Sequence, residues 1–270
     1  MNMKHLVFGV IGCGRMGGAM LEGLKKSGLF APEHIIAADA RADVSHELGE
    51  RLGIRAARDN REVARESDFL LLSVLPQVYD AVLRDIAPEI KLGACVITIA
   101  PNYTLSMTEQ VLGAEVKLVR AMPNTPAMIG AGMTAVCRNK NVDDETFSAA
   151  RAILGSLGAV EEIPENCFGA AVGIAGSAPA YVFMFIEALA DAGVLGGLHR
   201  EQAIRFAAQA VFGSAKLQIE TGTHPEVLKD MVCSPAGTTI EAVAALEKAG
   251  FRHAVIQAAR AASDKATGMK

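Results

Sequence analysis

At 270 residues, with 51% apolar and 21% charged side chains, the chain can build one large or two modest folded domains and is too apolar to be disordered. Its formal net charge of −4 comes from interspersed acids and bases, which leaves no basic footprint for nucleic acid. Five cysteines without a C-x-x-C pair and six scattered histidines argue against a disulfide framework and a metal centre, and for a reducing, cytoplasmic compartment.

The first strand is expected in Leu6-Val7-Phe8-Gly9-Val10, close enough to Met1 to leave no space for an export signal. Ile11-Gly12-Cys13-Gly14-Arg15-Met16-Gly17 follows, and then Met16, Ala19, Met20 and Leu24 recur at helical spacing. Glycines spaced G-x-G-x-x-G between a strand and a helix make a dinucleotide-binding turn. Gly12 allows the tight turn, Gly14 the approach of a pyrophosphate, and Gly17 the close packing of helix on strand. Free N–H groups and the positive dipole end of the helix face the phosphates. Cys13, Arg15 and Met16 complete the expected cofactor-binding segment, Cys13 as a small spacer.

A second strand, His34 to Asp39, ends in an acid where the adenine ribose is addressed. A carboxylate there accepts from a 2′-hydroxyl, whereas a nearby arginine suits a 2′-phosphate. Asp39 points to NAD and Arg41 to NADP, and Asp39 also reads as a cap of the next helix, so the sequence leaves these alternatives open. Asp59 and Glu62 are spaced as a capping pair that opens a short helix at Asn60. Phe69 to Val74 and Cys95 to Ala100 are continuous apolar runs, as parallel strands buried on both faces require. Leu75-Pro76 ends the first, and Val78, Ala81, Val82 and Ile86 are expected to form the core face of the helix from Gln77. A further strand, Val116 to Arg120, leads into Met122-Pro123-Asn124-Thr125-Pro126, which reads as a stiff loop near the cofactor or as a plain surface turn. The cofactor contacts expected from these loops are Asn60, Ser73, Val74, Leu75, Pro76, Ala100, Met122 and Asn124. Alternating strands and helices imply an α/β fold with a Rossmann-type doubly wound sheet over residues 1–163. Ala159 to Ile163 is its last edge strand, and Pro164 marks the boundary.

Residues 164–270 carry helical patterns only: Pro179 to Leu195, Arg200 to Gly222, Pro225 to Val232, Gly237 to Ala249 and Arg252 to Met269, with glycine stops at Gly193, Gly222 and Gly250. Phe168 to Ile186 contains no charged residue, but Pro179, Ser177 and three glycines interrupt it, so a buried helix is expected and not a membrane span. The helix after Pro179 is apolar nearly all round and must be covered on every side, which calls for a homodimer with a helical interface. Two loops place hydroxyls and small residues just before helices: Gly176-Ser177-Ala178-Pro179, and Ser234-Pro235-Ala236-Gly237-Thr238-Thr239. Thr238 and Glu241 have capping-box spacing, which leaves Thr239 free beside an anion site made of backbone N–H groups.

The glycine turn, Met122 to Pro126, Gly176-Ser177-x-Pro179-Ala180-Tyr181 and Ser234-Pro235-x-Gly237-Thr238-Thr239 together resemble the pyrroline-5-carboxylate reductases, over the whole chain. The resemblance implies reduction of a cyclic imine to proline with NADPH or NADH, an all-α dimerisation and substrate domain, and a homodimer that in some members assembles further into a decamer. It implies that Thr239 bonds the imine nitrogen as the catalytic residue, and that the backbone at Gly237 and Thr238 holds the substrate carboxylate. Glu165, Ser177 and Ser234 complete the substrate side. The family usually has glycine where Ala178 and Ala236 stand, Val-Lys-Pro where Val74-Leu75-Pro76 stands, and Ala-Gly where Ala100-Pro101 stands. An added methyl is harmless at negative φ and disabling where the loop needs positive φ. Two other readings remain in view. A β-hydroxyacid dehydrogenase shares the opening glycine turn but needs a lysine on the helix entering its second domain, and none lies between Pro164 and Leu198. A catalytically silent dinucleotide-binding paralogue would explain the altered Leu75, Ala178 and Ala236.

Overall fold

A computed structural model describes residues 3–268. They form two compact units: the stretch up to Gly176 together with the segment from Ser263, and residues Ser177–Ala262.

The first unit is built on strands β1 (Phe8–Ile11), β2 (Ile35–Ala38), β3 (Arg55–Ala56), β4 (Phe69–Leu72), β5 (Cys95–Thr98), β6 (Lys117–Met122), β7 (Gly132–Arg138) and β8 (Gly158–Glu162). Their order in the sheet is β3-β2-β1-β4-β5-β6-β7-β8. All neighbours are parallel except β6 and β7, which pair antiparallel with Val119 opposite Arg138. The expected doubly wound sheet is present. No local signal announces β7, since the Pro-rich segment before it has the residues of a loop or turn. In the structure that segment is a short 3₁₀ turn, Thr125–Ile129, that reverses the chain into a strand.

Helices α1 (Arg15–Ser27), α2 (Ala42–Leu52), α3 (Asn60–Glu66), α4 (Pro76–Ile86), α5 (Leu105–Leu112) and α6 (Asp144–Gly155) cover the two faces of the sheet. Side-chain alternation explains why the strands are apolar throughout. Val10, Leu71, Ile97 and Val119 pack toward α1, α2 and α6, while Ile11, Leu70, Leu72, Val96 and Leu118 pack toward α3 and α4. The core face of α4 matches the expected one only in part. Ile86 is buried and Val82 packs against the core as expected, but Tyr79 and Leu83 take the central places and Val78 is turned outward, because 79, 83 and 86 follow the i, i+4, i+7 row. At α3 the capping pair is present in altered form: Asp59 accepts from the Glu62 N–H at 2.8 Å, and Glu62 reaches back to the Arg58 N–H at 2.9 Å.

The first compact unit runs past Pro164. A short turn, Glu165–Cys167, and α7 (Phe168–Ala171) fold back so that Phe168 packs against Ala135 and Cys137 of β7. An aromatic side chain on an apolar strand face outweighs the proline as a punctuation mark.

The second unit contains α8 (Ala178–Leu195), α9 (Arg200–Thr221), α10 (Pro225–Val232), α11 (Thr238–Lys248) and the greater part of α12 (Phe251–Thr267). Met269, the expected end of the last helix, lies outside the described residues. Gly193 does not stop α8. It lies inside the helix, where its missing side chain lets Ala203 of α9 approach, and the helix ends at Gly196. The internal core of this unit is small: Ala190, Ala203 and Ala207, with Ile186 and Val194 against them. Phe183, Met184, Phe206 and Phe212 remain more than half exposed within one chain. The helical run Glu165–Leu195 is long and apolar enough by composition to cross a membrane.

Leu71 is fully buried in the central strand pair. Leu71→Ala is expected to destabilise the first unit by about 2–5 kcal/mol, read as a lowered thermal midpoint at fixed protein concentration.

Candidate active site

The glycine turn joins β1 to α1 at the carboxyl end of the sheet. Gly12 has φ +95°, the region that suits glycine, and its N–H donates to the Ala38 carbonyl of β2 at 2.9 Å. A Cβ at Gly17 would collide with the Gly12 carbonyl oxygen, so α1 lies directly against the turn. A Cβ at Gly14, by contrast, would meet nothing within 4 Å. Gly14 caps α1 without a side-chain hydrogen bond, so the first-turn N–H groups are open to a ligand.

A groove of about 660 Å³ runs from this turn across the ends of β2 and β4. It brings together ten of the expected cofactor residues, Gly12, Gly14, Arg15, Met16, Asp39, Asn60, Ser73, Val74, Leu75 and Pro76. Position in a strand–turn–helix at the point where strand order reverses is what the dinucleotide fold requires, and a bulky phosphate fits the open space at Gly14. Ala40, Val78, Val82 and Ile99 also line the groove and were not expected. Val78 had a usable signal, since it falls off the helical row of Tyr79, Leu83 and Ile86.

Six expected cofactor residues lie elsewhere. Gly17 is packed away under the turn. Cys13 and Arg41 border a second cleft of about 390 Å³ between α1 and α2. The Cys13 thiol faces the Ala38 carbonyl at 3.5 Å, and burial, followed by the Asp39 charge, pushes it up to about 12. Ala100 is buried. Met122 lines a cavity on the far side of β5 with Pro101 and Glu165. Asn124 spends its amide on the backbone, donating to the Ala175 carbonyl at 3.0 Å and accepting from the Met133 N–H at 2.9 Å. Both ends of its amide hold the loop in place and are not presented to the groove.

Asp39 accepts from the Cys13 N–H at 2.7 Å and from the Arg41 N–H at 3.0 Å. It thus clamps the glycine turn to the end of β2 while still facing the groove. The residue that caps α2 is Arg41, without a side-chain bond, so Asp39 is not a helix cap. The exposed Arg41 and Arg15 guanidiniums form no ion pair among the described residues.

Glu165 has a different setting from the one expected. Its Oε1 accepts from the Arg120 Nη1 at 2.9 Å and from the Leu105 N–H at 2.7 Å. The Arg120 side chain in β6 is 8% exposed, its Nη2 donates to the Pro101 carbonyl at 2.9 Å, and its guanidinium lies 4.6 Å from the centre of the Phe168 ring. Sequence reading missed Arg120, although a charged residue ending an apolar strand run was its signal.

In the helical unit, Ser177 precedes α8 and its carbonyl accepts from the Ala180 N–H at 3.1 Å. Ala178 is the first residue of that helix, so its methyl costs nothing in backbone strain. The loop Cys233–Gly237 joins α10 to α11, and Arg252 ties the helices around it by donating to Glu226 at 2.7 Å and Glu247 at 2.5 Å. The Gly237 N–H donates to the Ser234 carbonyl at 3.0 Å and closes a turn with Pro235 second and Ala236 third. Ala236 has φ +53°, the one positive-φ residue other than glycine among those described. Proline followed by a positive φ is the type II pattern, where glycine belongs. Gly237, not Thr238, caps α11, and no side chain caps the helix; the expected Thr238–Glu241 box does not form. The N–H groups of Thr238 and Thr239 therefore face outward unclaimed by a side chain, and neither hydroxyl has a hydrogen-bond partner among the described residues.

A left-handed residue with a Cβ costs about 1–2 kcal/mol, and glycine loses about 0.5–1 kcal/mol of that advantage through its unfolded-state freedom. Ala236→Gly is accordingly expected to stabilise the protein by about 0.5–1 kcal/mol, seen as a higher thermal midpoint at fixed concentration.

Comparison with known proteins identifies the family. The family model described as "Pyrroline-5-carboxylate reductase dimerisation" matches residues 165–269, and that described as "NADP oxidoreductase coenzyme F420-dependent" matches residues 7–102. The chain is 49% identical over 250 residues to the pyrroline-5-carboxylate reductase of Escherichia coli (strain K12), covering 93% of each chain. It is 41% identical over 263 residues to that of Methanosarcina acetivorans, covering 97% of each. Among solved structures, a pyrroline-5-carboxylate reductase from Coxiella burnetii superposes with a TM-score of 0.93 at 31% identity over 98% of both chains. The Plasmodium falciparum pyrroline carboxylate reductase with NADP bound superposes with a TM-score of 0.87 at 31% identity over 99% of both. With this identity over nearly the full length, the chain belongs to the pyrroline-5-carboxylate reductase family.

Proposed function

We propose that this protein reduces 1-pyrroline-5-carboxylate to L-proline with NADPH or NADH, the last step of proline biosynthesis. The observation that carries this reading is the presence in one chain of an open dinucleotide groove at the glycine turn and an uncapped α11 N-terminus beside two unpartnered threonine hydroxyls. The functional division follows residues 1–163 and 164–270, with the dinucleotide on the first part and the substrate on the second.

Gly12, Gly14 and the first turn of α1 would hold the pyrophosphate, Asp39 and Arg41 would address the adenine ribose, and Ser73 to Pro76 would form the far wall. When bound, the reduced cofactor supplies a hydride for the imine carbon. As the hydride adds to that carbon, the C=N π pair moves onto the ring nitrogen, which takes its proton from solvent. The Thr239 hydroxyl, free of any internal partner, is the group that bonds this nitrogen. The Thr238 and Thr239 N–H groups, at the positive end of α11, hold the carboxylate, with Ser177 and Ser234 bordering the substrate. The Gly237 N–H is engaged in its turn and takes no part. Such chemistry needs orientation more than acid–base power, so no nucleophile is called for.

The exposed aromatic faces of α8 and α9 are covered by a second copy in a homo-oligomer. We further propose that the building block is a homodimer, that it assembles toward a decamer, and that it works in the cytoplasm and not at a membrane. All five cysteines are free thiols, which suits a reducing compartment.

A steady-state assay of NADPH and NADH oxidation with pyrroline-5-carboxylate tests the activity; cofactor binding without turnover would instead mark a silent paralogue. Thr239→Val is expected to lower kcat roughly 10²-fold, the scale of one positioned donor. Unchanged kinetics would remove it from the mechanism. Asp39→Ser is expected to raise the NADPH to NADH ratio of kcat/KM, since it removes a carboxylate from the 2′ side. A lost glycine-turn clamp alone would weaken both cofactors alike.

A further inference from the structure

Arg120 is a buried arginine in β6, and no role proposed above accounts for it. It lies in β6 opposite Thr98 of β5, and its guanidinium reaches across to the loop that follows β5. That loop, residues 99–104, starts at Ile99, which lines the dinucleotide groove, and ends at Leu105, the first residue of α5. Its own bonds are long: the Ala100 N–H to Thr98 Oγ1 at 3.3 Å and the Tyr103 N–H to the Ala100 carbonyl at 3.5 Å. Its short bonds come from Arg120 and Glu165, to the Pro101 carbonyl at 2.9 Å and from the Leu105 N–H at 2.7 Å. Glu165 and Arg120 hold each other at 2.9 Å, and Phe168 closes the cation from one side. Pro101 inside the loop and Leu105 directly after it are thus fastened by one charge-assisted cluster, the stronger kind of hydrogen bond, and Thr104 between them caps α5 by accepting from the Met107 N–H at 3.1 Å.

The sheet order decides what the loop faces. A dinucleotide crosses such a sheet where strand order reverses, with its adenosine half at the end of β2, where Asp39 lies, and its other half over the ends of β4, β5 and β6. We propose that Arg120 and Glu165 are positioning residues that hold loop 99–104 as the wall for the nicotinamide half of the cofactor. This rests on the dinucleotide reading of the groove. It gives Glu165 a task on the cofactor side, in place of the substrate-side task that the family resemblance implies.

The test is calorimetric titration of the full-length protein with NADPH and with 2′-phospho-ADP-ribose, a fragment that lacks nicotinamide, in wild type, Arg120→Met and Glu165→Gln. Arg120→Met is expected to weaken NADPH roughly tenfold, the loss of a charge-assisted bond, while the fragment changes less than about twofold. Glu165→Gln keeps an acceptor for Leu105 and should weaken NADPH roughly threefold, again sparing the fragment. In steady state, kcat should fall more than the fragment's inhibition constant changes, because a wall displaced by about 1 Å misplaces the ring for transfer. Equal weakening of both ligands, or unchanged NADPH binding, overturns the proposal. If Arg120→Met does not fold, the same split in Glu165→Gln decides. Wild type that binds neither ligand would instead overturn the dinucleotide reading.

Discussion

Helix α1 rests on the carbonyl of Gly12 through a residue without a side chain, and the architecture at the carboxyl edge of the sheet depends on that approach. Any Cβ at Gly17 would push the helix off the turn and carry away the free N–H groups that the groove presents. The neighbouring contacts are built on the same geometry. Gly12 donates to the end of β2, the Ser73 N–H donates to the Ile11 carbonyl, and Asp39 draws the Cys13 N–H toward the second strand. Three strand ends and one helix end are held together by backbone groups and the Asp39 carboxylate, so the groove walls are fixed by bonds within the protein. Such preorganisation lowers the ordering cost of binding.

The helical unit follows a different logic. Three alanines make its internal core, which is enough to fasten α8 to α9 but leaves large aromatic faces in water. Burial against another copy is what makes such a surface sustainable, and it ties stability to protein concentration. Within this unit the one strained residue, Ala236, lies in the turn that aims α11. Strain of about 1–2 kcal/mol persists only where surrounding bonds over-determine the backbone, and here the Ser234–Gly237 turn and the Arg252 ion pairs do so.

Polar side chains inside the first unit mostly hold backbone. Asn124 and Glu165 each looked like ligand groups when judged by residue type and place in the chain, yet each is committed to a loop. Even half-buried, an amide or a carboxylate needs partners, and the nearest are unpaired N–H and C=O groups of irregular segments. Arg120 shows the converse. Nothing about a charge in an apolar run says what it will touch, and only the return of the chain at Glu165 and Phe168 supplies its partners.

What the sequence by itself determined was everything written in local pattern. Strand and helix periodicity, the glycine turn and the Asp59 cap all depend on neighbours a few residues apart, and the groove residues Gly12, Gly14, Arg15, Met16 and Ser73 to Pro76 follow from them. Tertiary structure alone decided which side of α4 faces the core, that Asn124 and Glu165 turn inward, that Gly193 serves packing and not termination, and that the first compact unit continues through Phe168. The physical reason is the same in each case. Burial and hydrogen-bond satisfaction are settled by groups distant in the chain, and no spacing rule along one segment contains them.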